Sequence, residues 1–266
     1  ARYCVKRSTE WVVYNVHFTE TCTDENPRLI TQVETTAATT HDVTVTEQIQ
    51  DSLNDKGLGP ETQLADMGYM EAHLLVSSQN TGIELVGPVP SSKSWQDRVD
   101  EAFDHTQFDI DWRQRVATCP SGKTSTSCSD RQTRRGTPNL VFQFSPADCR
   151  SCSLRQRCSR AKSMGRTLTV YPQYQYQALF KAREQQQTDE FKEQYAARAG
   201  IEGTISQATR TSKVRRSRYI GLDRTRLQHV ATAAAINVTR LANWLQGDRP
   251  APTRSSPFQK LAAQMA

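Results

Sequence analysis

Hydrophobic residues near the start of the chain follow a period of two. Between residues 12 and 19, apolar side chains occupy every second position, which is typical of a β-strand. A turn-like Asp-Glu-Asn-Pro sequence occupies residues 24–27, and a β-rich run follows at residues 29–34. The two runs are therefore expected to pair as a hairpin.

The period then changes to that of a helix. Val45, Ile49 and Leu53 are spaced four apart, which predicts a helix over residues 42–53 that ends near Gly57. Further along, short apolar runs and turn residues predict a strand at 62–66, a helix at 69–78 and a strand at 83–89. Strands that alternate with helices in this way indicate a mixed α/β fold.

The pattern changes again after residue 90. From residue 91 to about residue 168, Ser, Thr, Arg and Cys dominate and only residues 140–144 read as a strand, which indicates an insertion with its own small fold. Helical composition returns at residues 173–210. A last helix is predicted at residues 224–246, and its apolar side is expected to consist of Leu227, Val230, Ala234, Leu241, Trp244 and Leu245.

Composition narrows the class of protein. The chain has 266 residues, 36% of them hydrophobic, and none of its apolar runs approaches the roughly 18 residues of a membrane span. Its first residues lack the features of a signal peptide, so the cytoplasm is the expected compartment. Seven cysteines are an odd number, which favours free thiols or metal ligands over a secreted disulfide framework.

The charge is unevenly distributed along the chain. Residues 1–110 contain 7 Lys and Arg against 18 Asp and Glu, whereas residues 111–266 contain 27 against 10. This asymmetry indicates that the C-terminal part faces a polyanion, most plausibly a nucleic acid, although a solvated basic face is the simpler alternative.

Two short motifs contain the candidate chemistry. Asp66, in Ala-Asp-Met-Gly-Tyr, stands at the end of a predicted strand, where it is either a site residue or a helix cap. Tyr195, Arg198 and Glu202 are spaced three and four apart, so they share one helix face. Arg198 and Glu202 could be a plain surface ion pair. Gly200 and Gly203 flank Glu202, however, and glycine in mid-helix indicates that some group approaches the backbone closely.

Together these motifs resemble the second acidic motif and the Tyr-x2-Arg-x3-Glu signature of DDE transposases from bacterial insertion sequences. The resemblance implies an RNase H-like mixed sheet core with helices, interrupted by a Cys-rich insertion. It also implies cleavage and strand transfer of double-stranded DNA at transposon ends, by a homodimer, in the bacterial cytoplasm. Asp66 and Glu202 would be catalytic ligands of Mg²⁺ or Mn²⁺, with Tyr195 and Arg198 in support. The signature's basic residue is replaced by Thr209, next to Arg210.

The third catalytic acid of that family has no obvious counterpart. Counting strands back from Asp66 leaves only residues 1–10 for the strand that should contain this acid, and Glu10 is the one acid there. Either that strand and its Asp were lost, which we favour, or Asp24 or Glu20 substitutes from the hairpin. We therefore expect this chain alone to be inactive. The alternative function is a non-catalytic, zinc-stabilised remnant that binds nucleic acid.

Cysteines and basic residues provide two further candidate sites. The Cys-x2-Cys-x5-Cys run at 149–158 could bind Zn²⁺, with Cys119 or Cys128 as the fourth ligand, although free or buried thiols are an equal alternative. The expected zinc ligands are Cys119, Cys149, Cys152 and Cys158. Phosphate contacts are expected from a basic cluster that consists of Arg210, Lys213, Arg215, Arg216 and Arg218.

The expected domain organisation follows from these interpretations. The core would begin in residues 1–90, and the Cys-rich insertion would occupy residues 91–168. Residues 169–248 would return to the core as its C-terminal helical part with the catalytic Glu, before a flexible basic tail at residues 249–266.

Overall fold

The computed structural model describes residues 3–6, 9–12, 14–23, 25–91, 94–99, 101–134 and 136–249. They fall into two compact units. The first unit is drawn from residues 1–70, 77–88 and 186–266, and the second from residues 71–76 and 89–185. The mixture of helices and short sheets confirms the α/β class, while the division into core, insertion and tail stays a prediction. Asp24 and almost the whole predicted tail lie outside the described residues.

Strands and helices alternate along much of the chain. The strands are β1 (Tyr3–Lys6), β2 (Thr9–Val12), β3 (Tyr14–Glu20), β4 (Ile30–Ala37), β5 (Thr62–Leu64), β6 (Glu84–Val86), β7 (Asp109–Asp111), β8 (Val116–Thr118), β9 (Ser127–Gln132), β10 (Pro138–Gln143) and β11 (Thr167–Val170). The helices are α1 (Thr46–Asp55), α2 (Ala72–Asn80), α3 (Pro146–Arg150), α4 (Arg155–Cys158), α5 (Gln173–Gln185), α6 (Asp189–Ala196), α7 (Ala199–Thr211) and α8 (Leu222–Leu245).

The first unit contains the predicted hairpin and a parallel strand pair. Strands β3 and β4 pair antiparallel from Tyr14 opposite Ala37, with a bulge between Thr19 and Glu20. Strands β5 and β6 pair in parallel through three residues each, and α2 lies between them in the sequence. Across the described residues the two pairs remain separate sheets. The four-residue spacing in α1 also proves correct, since Val45, Ile49 and Leu53 form a buried cluster.

The prediction for the apolar side of α8 is wrong. Leu227 is 69% exposed and Leu245 is 78% exposed, and Val230 and Leu241 also face solvent. The buried positions are instead Thr225, His229, Thr232, Ala233 and Ile236. These side chains are mostly small or hydrogen-bonded, which suits a helix that packs closely on β3 and β4.

Two polar side chains of α8 bind the sheet directly. The amide of Asn237 accepts from the backbone N–H of Ile30 and donates to the backbone carbonyl of Ile30, both at 2.8 Å. The ring Nδ1 of His229 lies 2.9 Å from the hydroxyl of Thr35. Asn237 thus takes the place of a strand partner at the beginning of β4.

The second unit contains a three-stranded sheet and its own core. Strand β10 pairs antiparallel with β9 on one side and with β11 on the other. Its buried core consists of Phe108, Ala117, Phe142, Phe144, Leu168 and Val170. Among the helices that the structure describes in either unit, none is long and apolar enough to cross a membrane.

We predict that Asn237→Ala destabilises the first unit by about 2–3 kcal/mol, because it leaves a buried N–H and carbonyl of Ile30 without their side-chain partner. Urea unfolding followed by circular dichroism measures the loss. Val238→Ala is the matched control, since this neighbouring side chain is 69% exposed and its removal should change stability by no more than about 0.5 kcal/mol. Equal losses of stability in Asn237→Ala and Val238→Ala would contradict the stabilising role of the Asn237 hydrogen bonds.

Candidate active site

The first unit contains a groove of about 390 Å³ between β3, β5 and α1. Its walls are formed by residues 16–23 of the hairpin, residues 62–66 at β5, and side chains at the beginning of α7. Asp66, Tyr69 and Arg198 all line it. The two motifs that the sequence analysis selected therefore meet at one groove.

Asp66 is both a helix cap and an outward-facing carboxylate. It follows β5 after one residue and caps the short 3₁₀ helix Met67–Tyr69, with Oδ1 accepting from the Met67 N–H at 2.8 Å. Its side chain is 57% exposed, and Oδ2 points towards Arg198. The helix cap is observed, and because it uses only Oδ1, it leaves Oδ2 available for the role expected of a site residue.

Arg198 lies between the two candidate catalytic acids. Its Nη2 atom is 3.7 Å from Oδ2 of Asp66 and 3.3 Å from Oε1 of Glu202. The guanidinium also lies 5.9 Å from the ring centre of Tyr195. Burial raises the pKa of Tyr195, and the nearby Arg198 charge opposes this increase. The structure thus brings together Asp66, Tyr195, Arg198 and Glu202.

The helix that contains this motif is interrupted. Tyr195 lies near the end of α6, Arg198 is the N-cap of α7, and Glu202 lies in the first turn of α7. Both Ala197 and Arg198 keep right-handed helical angles, so the three motif residues still face the same side.

The two flanking glycines differ in their surroundings. At Gly200, an added Cβ would collide with the guanidinium of Arg28 and contact Glu20, so the expected close approach is confirmed there. At Gly203 the same Cβ would meet open space, so no described side chain explains this glycine and the expected close approach stays a prediction there. The group that approaches Gly200 is a side chain of this protein.

Glu20, a candidate for the third acid, is engaged elsewhere. It is 5% exposed, its Oε2 lies 2.9 Å from Nη1 of Arg240, and it accepts a hydrogen bond from the hydroxyl of Thr204. The same Arg240 nitrogen donates to the backbone carbonyl of Arg28 at 2.8 Å. In this conformation, Glu20 is an ion-pair partner that joins β3 to α7 and α8.

Two carboxylates fit a divalent cation by their chemistry, because hard oxygen donors suit Mg²⁺ and Mn²⁺. In the part of the chain that the structure describes, however, no three His, Cys, Asp or Glu side chains are placed so that they could hold a metal ion as they stand. Asp66 and Glu202 would supply part of a metal site, and Arg198 now occupies the space between them.

His17 is a site residue that the sequence analysis missed. Its Nδ1 lies 2.6 Å from the hydroxyl of Tyr69, and its Nε2 lies 3.0 Å from the hydroxyl of Thr36. Burial lowers the pKa of His17, with opposing contributions from Asp42 and Glu34. Burial also raises the pKa of Tyr69, so its phenol keeps its proton beside Asp66. The alternation of apolar residues over 12–19 assigns His17 to the polar face of the strand. In the structure, however, His17 is the residue of β3 that is buried.

The basic cluster follows directly after Glu202 in the chain. Arg210 lies in the last turn of α7, and the other four residues lie in the segment between α7 and α8. All five side chains are exposed: Arg210, Lys213, Arg215, Arg216 and Arg218. This exposure is what a phosphate-binding surface requires.

The candidate zinc ligands lie in the second unit. Cys119, Cys149, Cys152 and Cys158 line one cavity, whereas Cys128 belongs to β9 and does not line it. The structure therefore favours Cys119 over Cys128 as the fourth member of the group.

The first unit thus places two acids against one arginine, and an exposed basic segment follows Glu202 in the chain. Residues 118–242 match the family model of the transposase DDE domain, so this part of the chain is similar to that family. The match covers slightly less than half of the chain and includes Glu202 but not Asp66. No curated protein and no solved structure matches the chain.

The lowered pKa of His17 predicts a pH dependence of stability. Since the unfolded state binds the proton more readily, the free energy of unfolding should decrease as the pH falls below about 6.5 towards the lower pKa of the folded state. In His17→Gln this decrease should become smaller. Urea unfolding at pH 7.5 and pH 5.5 measures the difference. The control is the same substitution at His41, which is exposed. If the free energy of unfolding decreases as much in His17→Gln as in the parent chain, the pH dependence does not come from His17.

Proposed function

We propose that this chain is the catalytic part of a DNA transposase that cleaves phosphodiester bonds and transfers strands at the ends of an insertion sequence. The observation that supports this proposal most strongly is the convergence of Asp66 and Glu202 on Arg198. The transposase family match over residues 118–242 supplies the reaction class.

Each side chain of the site has a role in this proposal. Asp66 uses Oδ1 for the cap and offers Oδ2, while Glu202 offers Oε1 from the first turn of α7. These oxygens would hold Mg²⁺ or Mn²⁺, and such ions activate the attacking hydroxyl and stabilise the leaving oxygen. Arg198 contacts both acids, and it would be able to contact a phosphate if a cation took its place between them. Tyr195 packs beside Arg198 and orients it.

The DNA would be double-stranded and held mainly by its backbone. Arg210, Lys213, Arg215, Arg216 and Arg218 neutralise phosphates without reading bases, so binding should weaken as salt increases. Two copies of the chain would act on the paired transposon ends in the bacterial cytoplasm.

The isolated chain is not expected to cleave DNA. Among the described residues only two carboxylates converge on Arg198, and Glu20 is bound by Arg240 and Thr204. A third acid would have to come from elsewhere. If Asp66 and Glu202 do not bind a metal ion, the chain is instead a non-catalytic protein that binds nucleic acid. The following experiment distinguishes these two functions.

Binding of a short DNA duplex, measured by fluorescence anisotropy with and without Mn²⁺, separates the two functions. A cation held by Asp66 and Glu202 also binds a phosphate oxygen, so Mn²⁺ should strengthen binding by about tenfold, equivalent to about 1.4 kcal/mol. Glu202→Gln and Asp66→Asn should abolish this gain without weakening the affinity in the absence of Mn²⁺.

Glu47→Gln is the control, because Glu47 is an exposed acid in the first turn of α1 and should not affect the Mn²⁺ response. A duplex affinity that does not depend on Mn²⁺ in any variant would favour the binding protein. In the same samples, no nicking of supercoiled plasmid is expected. Nicking that requires Mn²⁺ and disappears in Asp66→Ala would mean that the chain already contains its third acid.

A further inference from the structure

A small cavity in the second unit is lined by four cysteines from separate segments. Cys119 follows β8, Cys149 lies in α3, Cys152 follows α3, and Cys158 ends α4. All four line the same cavity of about 30 Å³. Water-sized cavities begin at roughly 10–15 Å³, so the space is sufficient for a single bound ion.

Tight turns hold the backbone of these cysteines in place. The N–H of Cys119 bonds the carbonyl of Lys123 at 2.8 Å, and its own carbonyl accepts from the N–H of Gly122 at 2.8 Å. The Cys149 N–H bonds the carbonyl of Ser145, while the carbonyl of Cys152 accepts from the N–H of Arg155. Two cysteines separated by two residues on such a turn can occupy adjacent corners of a tetrahedron.

Basic side chains outnumber acidic ones in the lining of the cavity. Arg166 donates its backbone N–H to Sγ of Cys149 at 3.3 Å. The buried Nε of Arg166 has no hydrogen-bond partner among the described residues, and a thiolate would provide one. Lys123 and Arg155 also line the cavity, and Asp148 is its one acidic lining residue.

We propose that Cys119, Cys149, Cys152 and Cys158 bind one structural Zn²⁺ that joins three separate segments of the second unit. Binding releases the four thiol protons and forms four zinc–sulfur bonds, with no change of oxidation state. Among the described residues no three of these thiols are placed to hold a metal ion as they stand, so zinc binding would require rotation of side chains about their Cα–Cβ bonds. Four protein ligands leave no open position, so the ion stabilises the fold and takes no part in catalysis.

Two of the other cysteines serve as controls. Cys128 packs against the core of the second unit from β9 and interacts with Arg115, but it does not line the cavity. Cys22 is exposed in the first unit. Replacement of either residue removes a thiol without touching the proposed site.

The test is a zinc titration of the reduced full-length chain against a chromophoric chelator, together with Co²⁺ absorption spectroscopy. We expect about one Zn²⁺ per chain, and Co²⁺ bands of a tetrahedral site with thiolate charge transfer. Cys149→Ser and Cys158→Ser should each weaken zinc binding by at least about tenfold. Cys128→Ser and Cys22→Ser should bind zinc as the parent chain does.

The titration of the unaltered chain keeps the proposal testable even if a variant fails to fold. A parent chain that takes up no zinc from the chelator would overturn the proposal, as would octahedral Co²⁺ bands without charge transfer. Equal loss of zinc in Cys128→Ser would also overturn it. None of these outcomes depends on DNA cleavage, so the zinc site and the proposed function can fail separately.

Discussion

The buried ion pair between Glu20 and Arg240 fixes the position of helix α7, and with it the position of Glu202. Arg240 lies 2.9 Å from Glu20, and it also donates to the hydroxyl of Thr204 at 2.6 Å and to the side chain of Gln207 at 3.2 Å. One guanidinium thus connects β3 and α8 to the middle of α7. Loss of either partner would leave an unpaired buried charge, which typically costs about 3–5 kcal/mol.

The same arrangement explains why the site has its present form. With α7 held in this position, Arg198 at its N-cap meets Asp66 at the end of β5, and the exposed Glu202 shares the guanidinium. The acids are neutralised by a side chain that can move away, because these surface contacts at 3.3–3.7 Å are weak compared with a buried pair. Glu20 is the more deeply buried acid and is committed to the fold. The buried Glu20 therefore stabilises the fold, whereas the exposed Asp66 and Glu202 remain available to the candidate site.

Local patterns predicted much of this structure. Alternation identified the β3–β4 hairpin, the spacing of Val45, Ile49 and Leu53 identified the buried face of α1, and the Tyr-Arg-Glu spacing identified residues that do converge. Failures arose where polar groups are buried. The inner face of α8 uses His229 and Asn237, which hydrogen-bond to β4, so hydrophobicity selected the wrong side. His17 escaped notice for the same reason, since its partners Thr36 and Tyr69 are distant in sequence.

The most direct test of the account is anomalous diffraction from crystals of the chain soaked in Mn²⁺. We expect one strong peak bonded to oxygens of both Asp66 and Glu202 at about 2.0–2.2 Å, with Arg198 displaced from between them. The Glu20 to Arg240 pair should remain intact in the same crystals. A map with no peak at these two carboxylates, or with Arg198 still bridging them at saturating Mn²⁺, would contradict the proposed metal site.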